Sequence, residues 1–144
     1  MNHVQSCPGS IWFGPKKGEG LCFNNRIKVE DLGKETSWTT RVFEHKEGGR
    51  QFFVKSWKKE GIFKVDVLMN GSQGDWEGFM VEASVVIPGT TKPVFKSSFQ
   101  PRLLTDQNEN IFCLSVPERC LDKVWRYEEG RCILDCCVKI VKFD

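Results

Sequence analysis

The sequence predicts an all-β protein, an antiparallel β-sandwich of seven to eight strands with one short helix. Most of the chain consists of short segments in which apolar and polar side chains alternate, as on a half-buried strand. Turn formers such as Gly, Pro, Asn and Asp separate these segments at short intervals. Eleven Phe and five Trp against three Met also favour sheet packing. Together these features are typical of a sandwich.

The alternation is plainest in segment 131–143. One face holds almost only apolar side chains: Cys132, Leu134, Cys136, Val138 and Ile140. The other face holds Arg131, Asp135, Cys137 and Lys139, with Ile133, Val141 and Phe143 among them. A helix would spread these residues around its circumference, whereas a strand separates them. We therefore expect a strand that covers a core and needs a second layer beneath it.

Further strands are predicted upstream, at 21–32, 37–45, 51–57, 61–69, 78–87, 92–99 and 111–114. Candidate core residues of the early strands are Phe23, Ile27, Val29, Trp38, Thr40 and Val42. Segments 51–57 and 61–69 form the clearest hairpin. The short helix is predicted at 116–124, with Ser115 as its N-cap and Glu118 in line for a capping box.

At 144 residues the chain is expected to hold one domain at 21–144, preceded by a lead-in at 1–20. The lead-in is rich in Gly and Pro and is predicted to be irregular. Its apolar segment 11–13 could pack against the domain and hold the lead-in in place, or the whole lead-in could be a disordered tail.

Charge argues against nucleic acid and membrane partners. The 21 basic and 19 acidic residues are interspersed, and the net charge is +2. The N-terminal residues lack the basic and apolar regions of a signal peptide, and no apolar run approaches the length of a membrane span. These features predict a cytoplasmic or nuclear protein.

The search for catalytic chemistry yields little, so we expect no enzyme, no cofactor and no metal. None of the common nucleophile, phosphate-loop or metalloprotease motifs is present. Five of the seven cysteines crowd the C-terminal third: Cys113, Cys120, Cys132, Cys136 and Cys137. They lack Cys-x-x-Cys spacing, and we expect all seven to be reduced. A small enzyme or metal-binding protein that uses these cysteines is the alternative.

The C-terminal two-thirds resembles the MATH (meprin and TRAF homology) domain, in its stand-alone form. The residues that carry the resemblance are the strands at 79–86 and 92–99, the segment 112–114, the short helix at 117–121 and the closing strand at 130–140. The resemblance implies an eight-stranded TRAF-like sandwich that binds short unstructured peptides. It further implies a non-catalytic adaptor, as in ubiquitin-ligase complexes, and we expect this chain to have no BTB domain of its own.

In that family, peptides lie across one outer sheet face and against an aromatic-bearing loop. The resemblance places the partner-binding positions at Asp66, Met80, Phe95 and Ser97, with Glu109 and Ile111 in the loop. Met80 and Phe95 are expected to form an apolar floor, although Val94 could replace Phe95 as the exposed residue of its strand. The loop here lacks an aromatic residue. A structural subunit of a constitutive complex is a further alternative.

Overall fold

A computed structural model describes residues 10–13, 21–44, 50–71, 78–90, 92–104 and 113–142. These residues form twelve strands and two short 3₁₀ segments, Val29–Asp31 and Glu118–Leu121. The strands are β1 Ser10–Phe13, β2 Leu21–Lys28, β3 Thr36–Ser37, β4 Thr40–Glu44, β5 Gln51–Lys59, β6 Ile62–Met69, β7 Phe79–Val86, β8 Pro93–Phe99, β9 Arg102–Leu103, β10 Leu114–Pro117, β11 Arg126–Glu128 and β12 Arg131–Lys142. Among the described residues, no helix is long and apolar enough to cross a membrane.

The strands form two sheets. Sheet 1 has the order β1-β4-β5-β6-β10, with β3 beside β5 and β9 beside β6. Sheet 2 has the order β2-β12-β7-β8, with β11 beside β12. Eight antiparallel strands form the bulk of the two layers: β4, β5, β6 and β10 in sheet 1, and β2, β12, β7 and β8 in sheet 2.

The predicted all-β sandwich is confirmed. The apolar face of β12 is buried, as its alternation predicted, and it joins a core that includes residues from both sheets. Within sheet 1 the rings of Phe43 and Phe52 stack, with centroids 5.5 Å apart. Phe52 also meets Phe79 of sheet 2 edge to face at 5.2 Å. Such ring pairs join the layers through apolar burial and favourable geometry.

The predicted hairpin of β5 and β6 is confirmed and has a two-residue turn. Glu60 and Gly61 both have positive φ, 54° and 76°. Positive φ at both positions is the signature of a type I′ turn, whose twist matches that of the flanking strands. The turn sets a register in which Lys59 faces Ile62 and Phe52 faces Met69.

The prediction of a helix at 116–124 is wrong, both in the type of structure and in its length. Its first residues belong to β10, where Val116 pairs with Phe63 and Pro117 with Ile62. Only Glu118–Leu121 is helical, as one 3₁₀ turn, and no side chain caps it. Although Ser115 and Glu118 fit a capping box, burial of Val116 against the core and pairing with β6 outweigh that local signal.

Two further expectations change near the start of the chain. β2 ends at Lys28, and Val29 begins a 3₁₀ segment and is 45% exposed, so it is not a core residue. Phe23 and Ile27 are buried as predicted. Ser10–Phe13, which lies in the lead-in, is a strand that pairs in parallel with β4.

Candidate interaction surface

The predicted site residues lie on different surfaces of the sandwich. Asp66 is on the outer face of sheet 1, because its neighbours Val65 and Val67 point into the core. Its side chain is only 1% exposed and accepts hydrogen bonds from Arg102 Nε at 3.3 Å and Nη2 at 3.1 Å. A carboxylate buried under a guanidinium is a structural ion pair, with little surface left for a partner.

Met80 is on the outer face of sheet 2 and is partly exposed. It lies directly opposite Val141 of β12, which is also partly exposed. The sequence predicted an outward position for Met80, because polar residues follow it on the same face of its strand. The structure confirms this position.

Phe95 and Ser97 occupy the inner face of the edge strand β8. They lie opposite Val85 and Ala83, both fully buried in the core. Phe95 packs against that core and is only partly exposed. Cross-strand partners share a face of the sheet, so Phe95 and Met80 lie on opposite faces. The expectation that these two residues form one apolar floor is therefore wrong.

Of the two apolar neighbours in β8, it is Val94 that is exposed on the outer face, at 44%. The sequence could not choose between Val94 and Phe95. A register shift between Val85 and Val86 sets how β8 meets β7. The remaining predicted positions, Glu109 and Ile111, lie outside the described residues.

The outer face of sheet 1 carries a second apolar cluster, formed by Val42, Phe53 and Leu68. All three are at most 5% exposed, although they point away from the main core. Val42 was expected among the residues of the main core, but it belongs to this cluster. The centre of this face is therefore buried, like an interior.

Cys22 and Cys137 correct the expectation that all seven cysteines are reduced. They lie directly opposite each other on β2 and β12 and form a disulfide, with Cα atoms 4.2 Å apart. No local pattern indicated this pair, because its two cysteines are 115 positions apart in the sequence. Their pairing depends on the register of the first and last strands of sheet 2.

The other cysteines of the described region do not form a chemical centre. Cys113, Cys132 and Cys136 are buried, and Cys120 is exposed. Burial raises the pKa of the Cys136 thiol to about 12, which keeps it protonated and poorly nucleophilic. Burial also raises the pKa values of Cys113 and Cys132. No group of three or more potential metal ligands occurs within the described ranges.

A buried polar cluster links the two sheets near β2. Asn25 Oδ1 accepts hydrogen bonds from Arg41 Nη1 at 3.1 Å and from Ser56 Oγ at 2.9 Å. The Asn25 amide nitrogen in turn lies 3.5 Å from Cys136 Sγ. Arg41 also stacks over the ring of Phe23, 4.4 Å from its centroid, and burial lowers its pKa. This cluster is closed to solvent and fixes β2 to β4 and β5.

Sequence reasoning missed a group of cations on sheet 2. Arg26, Lys28 and Arg131 line one cleft of about 390 Å³ at the β2 edge of the sheet. Arg131 is about a hundred positions from the other two, so the interspersed charges of the linear sequence concealed the group. Only the pairing of β2 with β12 brings the three together.

Comparison with known proteins assigns no family. No family model matches the sequence, and no curated protein matches it.

Proposed function

We propose that this chain is a non-catalytic interaction module that binds a peptide or protein partner through the outer face of sheet 2. The sequence resemblance to the MATH domain motivates this proposal. The eight antiparallel strands that form the bulk of the two sheets fit the eight-stranded sandwich that the resemblance implies. In the same proposal, the bound partner is a protein that the module recruits to a larger complex such as a ubiquitin ligase.

The observation that carries the proposal is the apolar pair of Met80 and Val141. Both side chains are partly exposed on the outer face of sheet 2, directly opposite each other. The neighbouring pair on the same face is charged, with Glu82 opposite Lys139. A small apolar surface with charged groups around it resembles the centre and rim of a protein interface.

The chemistry of the surface sets the kind of partner. An apolar side chain would pack between Met80 and Val141, where water is easily displaced. Polar groups of the partner would bond with Glu82 and Lys139 at the rim. An extended segment with one apolar anchor and flanking charges of both signs fits this arrangement.

The test compares Met80→Glu with Ile62→Glu. Ile62 is a matched control because it is an apolar residue, 38% exposed, on the outer face of sheet 1. A partner is first isolated by affinity purification on the wild-type protein, and its affinity is then measured for each folded variant. We expect Met80→Glu to weaken binding about tenfold or more, as loss of an interface anchor does. Ile62→Glu should bind like the wild type.

The opposite pattern would contradict the proposal. If Met80→Glu binds with unchanged affinity, or if Ile62→Glu shows the larger loss, the partner uses another surface.

A further inference from the structure

A basic cleft at the opposite end of sheet 2 has no part in the proposed function. Its position follows from β2, whose residues Phe23, Asn25 and Ile27 are buried in the interior. Arg26 and Lys28 therefore point to the outer face. Arg131, directly opposite Lys28, points to the same face. From Arg131 to Val141 is ten residues of β12, or about 33 Å, so the cleft is separate from the Met80 surface.

Lys28 and Arg131 form a closely spaced pair of the ladder. Antiparallel strands alternate between hydrogen-bonded pairs and closer pairs without hydrogen bonds. The carbonyl groups of Asn24 and Arg26 point away from β12, since they accept hydrogen bonds from Arg41 and Trp38. The alternate residues of β2, including Lys28, are therefore in the closer pairs, as is Cys22 with its Cα–Cα distance of 4.2 Å.

The close pairing of two cations is unfavourable for the protein alone. Like charges that lie directly opposite each other destabilise a sheet. Arg26 adds a third cation, two residues from Lys28 on the same face. Within the described residues, none of the three forms an ion pair. The remaining cation of the cleft, Lys34, is held by Asp31 at 3.1 Å.

The charges of the cleft favour an anion. Its lining includes the four cations Arg26, Lys28, Lys34 and Arg131, and the two carboxylates Asp31 and Glu35. Asp31 is neutralised by Lys34, which leaves three cations and one carboxylate in the lining. Glu128 of β11 lies directly opposite Arg131, but its carboxylate is paired with Arg126 at 2.6 Å. Two of these cations are guanidinium groups, whose planar forks bind phosphate oxygens in pairs.

We propose that this cleft binds a phosphate group, carried by a small phosphorylated molecule or by a phosphorylated side chain of a protein. A phosphate monoester carries about two negative charges near neutral pH, which matches the excess of cations better than a single carboxylate does. Bound phosphate would also relieve the repulsion between Lys28 and Arg131. The proposal does not depend on the function proposed for the Met80 surface.

The test is an NMR titration of the isotope-labelled protein with inorganic phosphate, with chloride adjusted to keep the ionic strength constant. We expect saturable shifts of amide signals around Lys28 and Arg131. The double variant Lys28→Gln/Arg131→Gln should bind phosphate about tenfold more weakly or worse, because it loses two charge-assisted contacts. Lys92→Gln/Lys123→Gln is the control: it removes the same two charges at exposed lysines outside the cleft.

Thermal unfolding provides a second readout and shows that the variants fold. Without phosphate, Lys28→Gln/Arg131→Gln should have a Tm equal to or above that of the wild type at low salt, because a like-charge pair is gone. Phosphate should raise the Tm of the wild type and of Lys92→Gln/Lys123→Gln, but not that of Lys28→Gln/Arg131→Gln.

Two further probes distinguish the sources of the phosphate group. A phosphoserine peptide that binds more tightly than inorganic phosphate, while its unphosphorylated form does not bind, points to a modified protein side chain. Tighter binding of pyrophosphate points to a small phosphorylated molecule. Equal binding of citrate and phosphate, linear shifts without saturation, or an unchanged affinity in Lys28→Gln/Arg131→Gln would overturn the proposal.

Discussion

The outer faces of the two sheets differ in how they are built. On sheet 1, Val42, Phe53 and Leu68 are buried, and Asp66 is buried beside them in its ion pair with Arg102. On sheet 2, Met80 and Val141 remain partly exposed among charged neighbours. The centre of the outer face of sheet 1 is thus buried, whereas the outer face of sheet 2 is open around Met80 and Val141. At the other end of β12 even the outward-facing Ile133 is buried, at 1% exposed.

The interactions that stabilise the two outer faces also differ. The outer face of sheet 1 is stabilised by apolar packing and by a buried ion pair. The outer face of sheet 2 is stabilised by bonds between neighbouring strands. They are the disulfide of Cys22 with Cys137 and the two-point ion pair of Arg126 with Asp135, at 3.0 and 3.1 Å. Such links fix the strands while leaving the surface above them open to partners.

The largest loss of stability from truncating one side chain is expected at the ion pair on the outer face of sheet 1. Arg102→Ala leaves the carboxylate of Asp66 buried without its guanidinium, which should lower the free energy of unfolding by about 3–5 kcal/mol. Lys96→Ala removes the exposed pair of Lys96 with Glu82, at 4.0 Å, on sheet 2. That loss should be about 0–1 kcal/mol. Urea denaturation of both variants measures the difference, and equal losses would show that the faces are equally buried.

A smaller effect is expected from the disulfide on sheet 2. The bond of Cys22 with Cys137 closes a loop with a sequence separation of 115 residues, so it restricts the unfolded chain strongly. Its reduction should lower the free energy of unfolding by about 2–4 kcal/mol. Urea denaturation with and without reductant measures this loss, and Cys120→Ser, at an exposed free cysteine, is the control.

Thiol titration of the denatured protein gives an independent check of the disulfide. The unreduced sample should contain two fewer thiols than the reduced one. If both samples have the same number of thiols and the same stability, the disulfide on sheet 2 does not form.

The sequence could predict the layers but only part of the surface. The strand β12 and the hairpin of β5 and β6 follow from a period of two and from turn chemistry, which are local signals. The burial of Val116 in β10 could not be predicted in this way, because Ser115 and Glu118 mimic a helix start. Pairing with β6, a long-range interaction, decided the conformation there.

The candidate site depends on cross-strand register, which a single sequence does not reveal. Met80 was placed correctly on an outer face by the alternation of its own strand. Phe95 was not, because Val94 and Phe95 are both apolar, and only the cross-strand pairing of Phe95 with the buried Val85 shows which one points inward. The cross-strand pairs Cys22–Cys137 and Lys28–Arg131 likewise form only because β2 pairs with β12, far apart in the sequence.

The most direct test of the difference between the faces is a pair of identical substitutions, Leu68→Glu and Met80→Glu. Both positions alternate with core residues and point outward, on β6 of sheet 1 and on β7 of sheet 2. Leu68 is 4% exposed, so a carboxylate there would be buried, and several kcal/mol of stability should be lost.

Met80 is partly exposed, so its variant should remain folded and lose less than about 1 kcal/mol. Urea denaturation followed by circular dichroism measures both values. A large loss for Leu68→Glu with a small one for Met80→Glu is the predicted result. Similar losses for the two variants would contradict the claim that the outer face of sheet 1 is buried at Leu68 while that of sheet 2 is open at Met80.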